Sequence, residues 1–464
     1  MGESAGDRAR LRQVLRFHIP LGITTVMMAT SHSVISSGLA RTASPETALA
    51  AFAVAMTVTN LFASPLWGTR EMLISLGTDR KSMHSGIVTT SAVGVFVLGW
   101  MLLLGYTRLG YTVYVTLFGA SPELFPEIVS VVRLCALLPI IYASRSWSQA
   151  LLMRARKAEL MTVAMVARLV LMVVLAFWLP RVEMLSSTMV GGVIWVGGMA
   201  IESLVCHVFA MRGETDSLFE DLAPGESAMT VRDCLRFLWP MMINGWLGSL
   251  ITPLINAGLA RSADPERNLA VFHVVWGLVW MLGAFVHMTI RQTVLVFLKN
   301  RHWLRVLRYV TRGLQYVNSV VIVVMVAFGI TDWILVSIIG LQPELLPDAR
   351  VVLYLYALFP LLAGYVEFKT GLALFARRTG AICIARGVDV AALSVTIFVL
   401  TMMFPGLGAP IGAIAMMTGM SFYYLTLRKA IPDDDGLIDA AVAVRPGYNV
   451  ESGRAEGKAA HSIE

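Results

Sequence analysis

Apolar stretches of about 18 residues or more recur along this chain, separated by short polar segments that contain proline and glycine. Each stretch is long enough to cross about 30 Å of hydrocarbon as a helix. The alternation of apolar and polar residues that marks the strands of a membrane barrel does not occur. Because helices and closed barrels are the structures that satisfy their backbone hydrogen bonds inside a bilayer, the pattern predicts an all-α membrane protein.

Dividing the chain at its polar segments predicts about twelve transmembrane helices. The predicted helices cover residues 12–40, 46–76, 82–106, 125–153, 158–180, 186–211, 230–260, 266–299, 304–330, 347–376, 380–404 and 408–430.

The first half of the sequence recurs in the second half. The segment GLARTASPE at 38–46 returns as GLARSADPE at 258–266, and SPELFP at 121–126 returns as QPELLP at 342–347, each about 220 residues later. Two homologous halves in an apolar chain are typical of a transporter with two lobes around one central site. We therefore predict two pseudo-symmetric six-helix lobes, and an even number of crossings in each half predicts that they insert in parallel. The predicted domains are an N-lobe at 1–211, a cytoplasmic linker at 212–232, a C-lobe at 233–430 and a mobile cytoplasmic tail at 431–464.

Composition supports the membrane assignment and charge orients the chain. The sequence is 57% hydrophobic and 14% charged, outside the range of soluble globular proteins. Lysine and arginine concentrate at one set of helix ends, for example at Arg80, Lys81, Lys299 and Arg301, and cytoplasmic loops retain such residues. We therefore expect a multi-pass protein of the bacterial inner membrane with both termini in the cytoplasm. Since these loops account for the net charge of +7, nucleic-acid binding is not inferred.

Cationic residues inside the predicted membrane helices are the first candidates for function, because a charge near the bilayer centre is costly. Arg70 and Arg291 are equivalent under the repeat, and Arg145 and Lys369 lie at comparable depth in the fourth and tenth helices. Each half thus contributes two cations to a predicted substrate site. The alternative is that these long side chains extend to the membrane surface.

Uncharged and titratable residues complete the predicted site. Tyr142 and Gln149 share a helical face with Arg145, Tyr365 lies one turn before Lys369, and Asn60 and Asn244 are further substrate-binding candidates. His32 and Glu367 are candidates for coupling, because histidine changes charge between pH 5 and 8. Glu367 could equally be the counter-ion of a neighbouring cation. The alternative for four further charged residues is a structural pairing within the membrane: Arg168, Glu202, Arg386 and Asp389.

Signatures of enzymes and cofactor sites are missing from the sequence. We find no phosphate-binding glycine loop, no HExxH and no GxSxG, and the four cysteines have no metal-ligand spacing. We therefore predict no catalytic residue, no metal and no cofactor. Without a nucleotide-binding domain, transport would use an ion gradient or the gradient of the substrate itself.

Several short motifs, in their order and spacing, resemble the progressive ankylosis (ANK) transporter family from about residue 12 to 430. The resemblance implies a branch of the multidrug/oligosaccharidyl-lipid/polysaccharide (MOP) superfamily, with MATE-like lobes that alternate between inward-open and outward-open states. It also implies export of anions such as citrate and nucleotides, with effects on extracellular pyrophosphate. Ala29 and His32 stand where animal members carry acidic residues, which predicts a different coupling. The motifs are RFHIPLGIT at 16–24, LGY at 109–111, WP at 239–240, PLIN at 253–256 with Arg261, FP at 359–360 with TG at 370–371, RRT at 377–379 and LGA at 407–409 with GA at 412–413.

Together these observations predict an alternating-access exporter or facilitator of small anions that acts as a monomer in the lipid bilayer. One alternative is a MATE-like exporter of organic cations, which requires an unpaired cavity carboxylate; Glu202 and Glu367 are the candidates. A lipid-linked sugar flippase shares the superfamily and a cationic cavity. A membrane scaffold or receptor would instead have filled lobes without a central cavity.

Overall fold

The computed structural model describes residues 5–182, 185–212, 227–287 and 289–431, and the single positions 219 and 436. In this part of the chain, all regular secondary structure is helical. Ten of its helical segments are long and apolar enough to cross a membrane. Pro265–His287 and Pro410–Ala430, with 23 and 21 residues, also have the length of a membrane span. The predicted all-α membrane fold is confirmed.

The long helices are numbered here in chain order, with α1–α6 forming the N-lobe and α7–α12 the C-lobe. They are α1 Gly6–Leu39, α2 Pro45–Leu76, α3 Arg80–Tyr106, α4 Pro122–Arg154, α5 Ala158–Arg181, α6 Ser187–Arg212, α7 Val231–Leu259, α8 Pro265–His287 with its continuation Ile290–Phe297, α9 Arg301–Ala327, α10 Pro343–Phe375, α11 Thr379–Met403 and α12 Pro410–Ala430.

Most helix ends fall within a few residues of their predicted positions. The differences are two short helical segments in predicted connections, at 108–117 and at Ile330–Ile339, and the start of α1. This helix begins at about residue 5 rather than at 12, and Arg10 pairs with Asp7 at 3.0 Å in its first turns. An acidic residue in the first turn stabilises the positive end of the helix dipole. The predicted linker at 212–232 and the predicted tail at 431–464 lie largely outside the described residues.

The internal repeat is visible in the backbone. Short 3-10 turns at Pro122–Leu124 and Pro343–Leu345 open α4 and α10 in the same way. Arg156 and Arg377, which follow those helices, adopt left-handed φ angles of 56° and 57°. A non-glycine residue is uncommon in that region, so its appearance at equivalent points of both lobes indicates one ancestral turn.

The two lobes are in contact at the basic end of the molecule, which we define by Arg80, Lys81, Lys299 and Arg301. At this end α1 packs on α8 and α9, and α7 packs on α2 and α3. The ring centroids of Phe17 and Phe297 lie 5.3 Å apart, and the backbone N–H of Met229 donates to Ser82 Oγ at 2.8 Å. The structure is therefore closed at the basic end.

At the opposite end, hydrogen bonds tie helices of the same lobe together. Thr188 Oγ1 donates to the Glu127 carboxylate at 2.6 Å within the N-lobe. In the C-lobe, Arg267 Nε donates to Asp348 Oδ2 at 2.8 Å. At this end, each lobe is thus held together by hydrogen bonds between its own helices.

Candidate functional site

A buried carboxylate on α6 organises the polar centre of the N-lobe. Glu202 is 1% exposed and accepts hydrogen bonds from Arg168 at 2.8 Å, from Arg145 at 3.1 and 3.3 Å, and from Gln149 Nε2 at 2.9 Å. Gly198, one turn earlier on α6, allows α5 to approach, since a Cβ there would lie only 2.6 Å from Met172 Cγ of α5. Arg168 and Glu202, for which the sequence left a structural pairing open, are thus in contact, and the carboxylate contacts Arg145 as well.

The polar contacts continue from this centre to the C-lobe. Gln149 Oε1 accepts from Arg70 Nη1 at 2.9 Å. Arg70 Nη2 and Arg291 Nη2 lie 3.7 and 3.9 Å from one oxygen, Oε1 of Glu71. Arg291 Nε lies 3.3 Å from Glu367 Oε2. We call this continuous set of contacts the cross-lobe network; it consists of Arg145, Arg168, Glu202, Gln149, Arg70, Glu71, Arg291 and Glu367.

A second cationic group lies deep in the C-lobe. Arg386 Nη1 donates to Asp389 Oδ2 at 2.5 Å, three residues along α11, and its Nε donates to Asn244 Oδ1 at 3.3 Å. The guanidinium lies over the Tyr423 ring, 4.4 Å from the centroid, where a cation is attracted to the aromatic face. The predicted pairing of Arg386 with Asp389 is confirmed.

Four arginines of the two cationic groups are partly exposed, and the carboxylates that they contact are buried. Four arginine side chains, at positions 70, 145, 291 and 386, are 22%, 18%, 20% and 21% exposed. The carboxylate side chains at positions 71, 202, 367 and 389 are 2%, 1%, 8% and 1% exposed. These four arginines are therefore partly exposed, whereas the carboxylates that they contact are buried.

Several donors in the network remain unused. Among the described residues, the Nε–H groups of Arg70 and Arg145 are buried without an acceptor, as is that of Arg168. A buried charged donor without an acceptor costs more than the same donor in water. These Nε–H groups therefore add to the cost of placing the arginines in the network.

The structure brings together most of the predicted site residues. Arg70, Arg145, Gln149 and Arg291 belong to the cross-lobe network, and Glu367 is the counter-ion of Arg291. Two of the uncharged candidates support arginines directly: Tyr142, whose ring centroid is 5.3 Å from the Arg145 guanidinium, and Asn244, which accepts from Arg386.

Four predicted residues lie apart from those contacts. Lys369 is buried, and its Nζ donates to the carbonyl of Ile431 at 2.9 Å, just beyond α12. Residues two apart on a helix do not share a face, which separates Lys369 from Glu367. The other three are Tyr365, whose ring packs on Tyr424 at 5.6 Å, Asn60, which is half-buried in α2, and His32, which is exposed in α1.

Sequence reasoning missed two residues at the lobe interface. Glu71 follows Arg70 directly in an apolar segment. Because a charge inside the membrane is costly, this carboxylate could have been recognised from the sequence as a functional candidate. His18 of α1 is completely buried, with Nδ1 2.9 Å from Thr293 Oγ1 and Nε2 3.3 Å from Thr289 Oγ1 of α8. The periodicity of α1 does not distinguish an interface histidine from one that faces the bilayer.

Metal ligation finds no support in the part of the chain that the structure describes. These residues contain no group of three or more His, Cys, Asp or Glu side chains that could hold a metal. Cys135, Cys206 and Cys234 are buried and free, and Cys383 is half-buried and free.

Comparison with known proteins gives one family and one fold. The family profile described as progressive ankylosis protein (ANKH) matches residues 5–271. No curated protein matches the sequence. One similar solved structure is a MATE family transporter of the MOP superfamily in an outward-facing conformation, with a TM-score of 0.67 and 14% identity over 95% of this chain and 99% of that one. A second is a MOP superfamily transporter from Pyrococcus furiosus, with a TM-score of 0.67 and 14% identity over 94% of this chain and 99% of that one. A third is a variant of a Vibrio cholerae MATE transporter, with a TM-score of 0.70 and 14% identity over 94% of this chain and 100% of that one.

Proposed function

This chain belongs to the progressive ankylosis (ANKH) protein family and has the fold of the MATE transporters, and from that premise we propose that it is an alternating-access membrane transporter of small anions. The proposed substrates are citrate-like polycarboxylates, nucleotides and compounds related to pyrophosphate, and the proposed direction is export. We further propose that it acts as a monomer in the bacterial inner membrane, with both termini in the cytoplasm and without a cofactor or catalytic residue.

The observation that carries the proposal is the unequal exposure of charge in the site. Arginine side chains of both lobes are about a fifth exposed, whereas the neighbouring carboxylates are almost completely buried. Guanidinium groups bind carboxylate and phosphate oxygens through two parallel hydrogen bonds. An anion that enters between the lobes would thus meet the exposed parts of Arg70, Arg145 and Arg291.

The pairing of the deep carboxylates favours an anion over an organic cation. A cation exporter requires an unpaired carboxylate in the site. Glu202 contacts Arg145 and Arg168, and Glu367 contacts Arg291, so both candidates are paired. The Pyrococcus furiosus transporter is described as having a binding pocket of reverse polarity that suggests a different function. Pocket charge therefore has to be assessed for each chain separately within this fold.

Flux measurements with purified protein in liposomes test the proposal. The wild type is expected to carry radiolabelled citrate, ATP or pyrophosphate, and Arg145→Gln to lower that flux about tenfold or more, because charge-assisted hydrogen bonds to the anion are lost. Arg108→Gln is the matched control, since Arg108 is exposed between α3 and α4. Lys369→Gln in the same assay tests the remaining predicted cation.

An organic cation and a lipid-linked sugar are included as competing substrates in the same liposomes. Flux of the organic cation without flux of any of the three anions contradicts the proposal, and so does anion flux that is equal in the wild type and in Arg145→Gln. Movement of the lipid-linked sugar alone would support the flippase alternative instead.

A further inference from the structure

One carboxylate lies at the junction of the two lobes. Glu71, at the end of α2, is 2% exposed, and its Oε1 is 3.7 Å from Arg70 of its own lobe and 3.9 Å from Arg291 of the other lobe. Its second oxygen, Oε2, is buried without a hydrogen-bond partner among the described residues. Glu71 is thus held by charge from both lobes rather than by a hydrogen-bonded pocket.

The internal repeat explains why one carboxylate serves two arginines. Arg70 and Arg291 are equivalent positions, but the residue after Arg291 is Gln292, where the N-lobe has Glu71. The pseudo-symmetry therefore brings two guanidiniums together at the closed basic end and supplies a single negative charge between them. If Glu71 were neutral, Arg291 would keep Glu367 as a counter-ion, but no carboxylate would lie between the two guanidiniums, and these would repel each other.

We propose that Glu71 is a built-in counter-anion that occupies the place of the substrate between Arg70 and Arg291 when the carrier is empty. This inference rests on the proposed anion transport. With Glu71 in place, closure at the basic end does not require a bound anion. The substrate anion and Glu71 compete for the same guanidiniums, so Glu71 lowers the anion affinity of this closed state and favours release of the anion from it.

The proposal predicts that anion binding favours closure, and that this linkage becomes measurable only when the charge of Glu71 is removed. In Glu71→Gln, closure at the basic end requires another anion, since a ligand shifts a conformational equilibrium by its differential affinity for the two states. Closure should then become dependent on anion concentration. In the wild type, closure should be nearly independent of it.

Distances between spin labels across the basic end measure this closure. Labels are placed at Lys81→Cys and His302→Cys, two exposed positions of opposite lobes, with Cys383 replaced by Ala because the three other cysteines are buried. Without anion, Glu71→Gln is expected to lower the ratio of closed to open protein about tenfold. Addition of citrate or pyrophosphate should restore the closed distance, and both anions should bind Glu71→Gln more tightly than the wild type.

Two further variants separate this role from a structural one. Glu71→Asp keeps the charge and should close without anion, as the wild type does. The double variant Glu71→Gln/Arg70→Gln removes one cation together with the anion and leaves Arg291 with Glu367, so it should regain anion-independent closure. Glu159→Gln, an exposed position at the start of α5, is the matched control.

The outcomes distinguish this inference from the proposed function. Closure of Glu71→Gln without anion overturns the inference, as does failure of the double variant to close. Binding of neither anion to the wild type, measured by calorimetry, instead overturns the proposed function and the competition with substrate. The spin-label distances of the Glu71 variants are measured without any anion. They therefore test whether the charge of Glu71 holds the lobes together even if the proposed function is wrong.

Discussion

At the scale of single residues, burial separates the arginines by role. Arg168 is 4% exposed and Arg145 is 18% exposed, although both contact Glu202. A buried ion pair contributes little net stability, whereas removal of one partner leaves an uncompensated charge. Glu202 is therefore a structural requirement of the N-lobe, and the more accessible Arg145 can also contact a ligand.

Glu202→Gln should destabilise the protein by about 3–5 kcal/mol, because Arg145 and Arg168 would be left close together without a carboxylate. The expected result is a lower thermal unfolding midpoint in detergent, measured by the loss of the monodisperse peak after heating. Exposed Glu159→Gln is the control and should unfold as the wild type does. Equal midpoints for both variants would contradict a structural role of Glu202.

At the scale of elements, the periodicity of the sequence predicted the helices well and their interruptions less well. The ends of α3, predicted at 82–106, are observed at Arg80–Tyr106. A proline inside a helix favours a kink, so Pro65 predicts an interruption of α2; the structure adds its form, a 3-10 turn at Ser64–Gly68. Apolar periodicity reports on a helix as a whole, and local backbone changes depend on the neighbouring helix as well. Here α7 packs directly on that turn.

The contact of α1 with α8 depends on the absence of a side chain at Gly22. A Cβ at this position would overlap the ring of Phe285 in the other lobe. Gly22→Ala should therefore weaken closure at the basic end by about 1–3 kcal/mol, the usual cost of overpacking. The spin-label distance between positions 81 and 302 should become longer and broader.

Gly99→Ala in α3 is the control for this substitution, because a Cβ at Gly99 would meet no atom within 4 Å. Truncation of the ring in Gly22→Ala/Phe285→Ala should restore the short distance. A distance that is unchanged in Gly22→Ala would show that this contact does not limit closure.

At the scale of the whole molecule, the structure defines two ends, and the distribution of lysine and arginine assigns them to membrane sides. We predict that the basic end faces the cytoplasm. A membrane-impermeant maleimide added to intact spheroplasts should label Arg108→Cys, an exposed residue at the end away from the lobe contact. Lys81→Cys should be labelled only after the membrane is made permeable. The opposite pattern would reverse the orientation and the proposed direction of export.

The sequence by itself determined the membrane class, the helices and the repeat, because these follow from apolar length and from internal similarity. It also identified Arg70 and Arg291 as equivalent cations. It could not show that the two lie on one carboxylate, since no periodicity within a helix reports which residues of another lobe lie opposite. Because Lys369 and Arg145 lie at similar depth in the predicted membrane helices, the sequence assigned both to one site. In the structure, Lys369 instead donates to the carbonyl of Ile431.

Tertiary structure decided which charges meet and which remain accessible. Helix rotation placed Glu202 between two arginines, and lobe closure placed Glu71 between Arg70 and Arg291. These arrangements depend on how whole helices pack, and packing combines many contacts that are distant along the chain. The sequence thus determined which charges lie in the membrane helices, and the fold determined that Arg70, Arg145 and Arg291 are partly exposed while Arg168 and the carboxylates are buried.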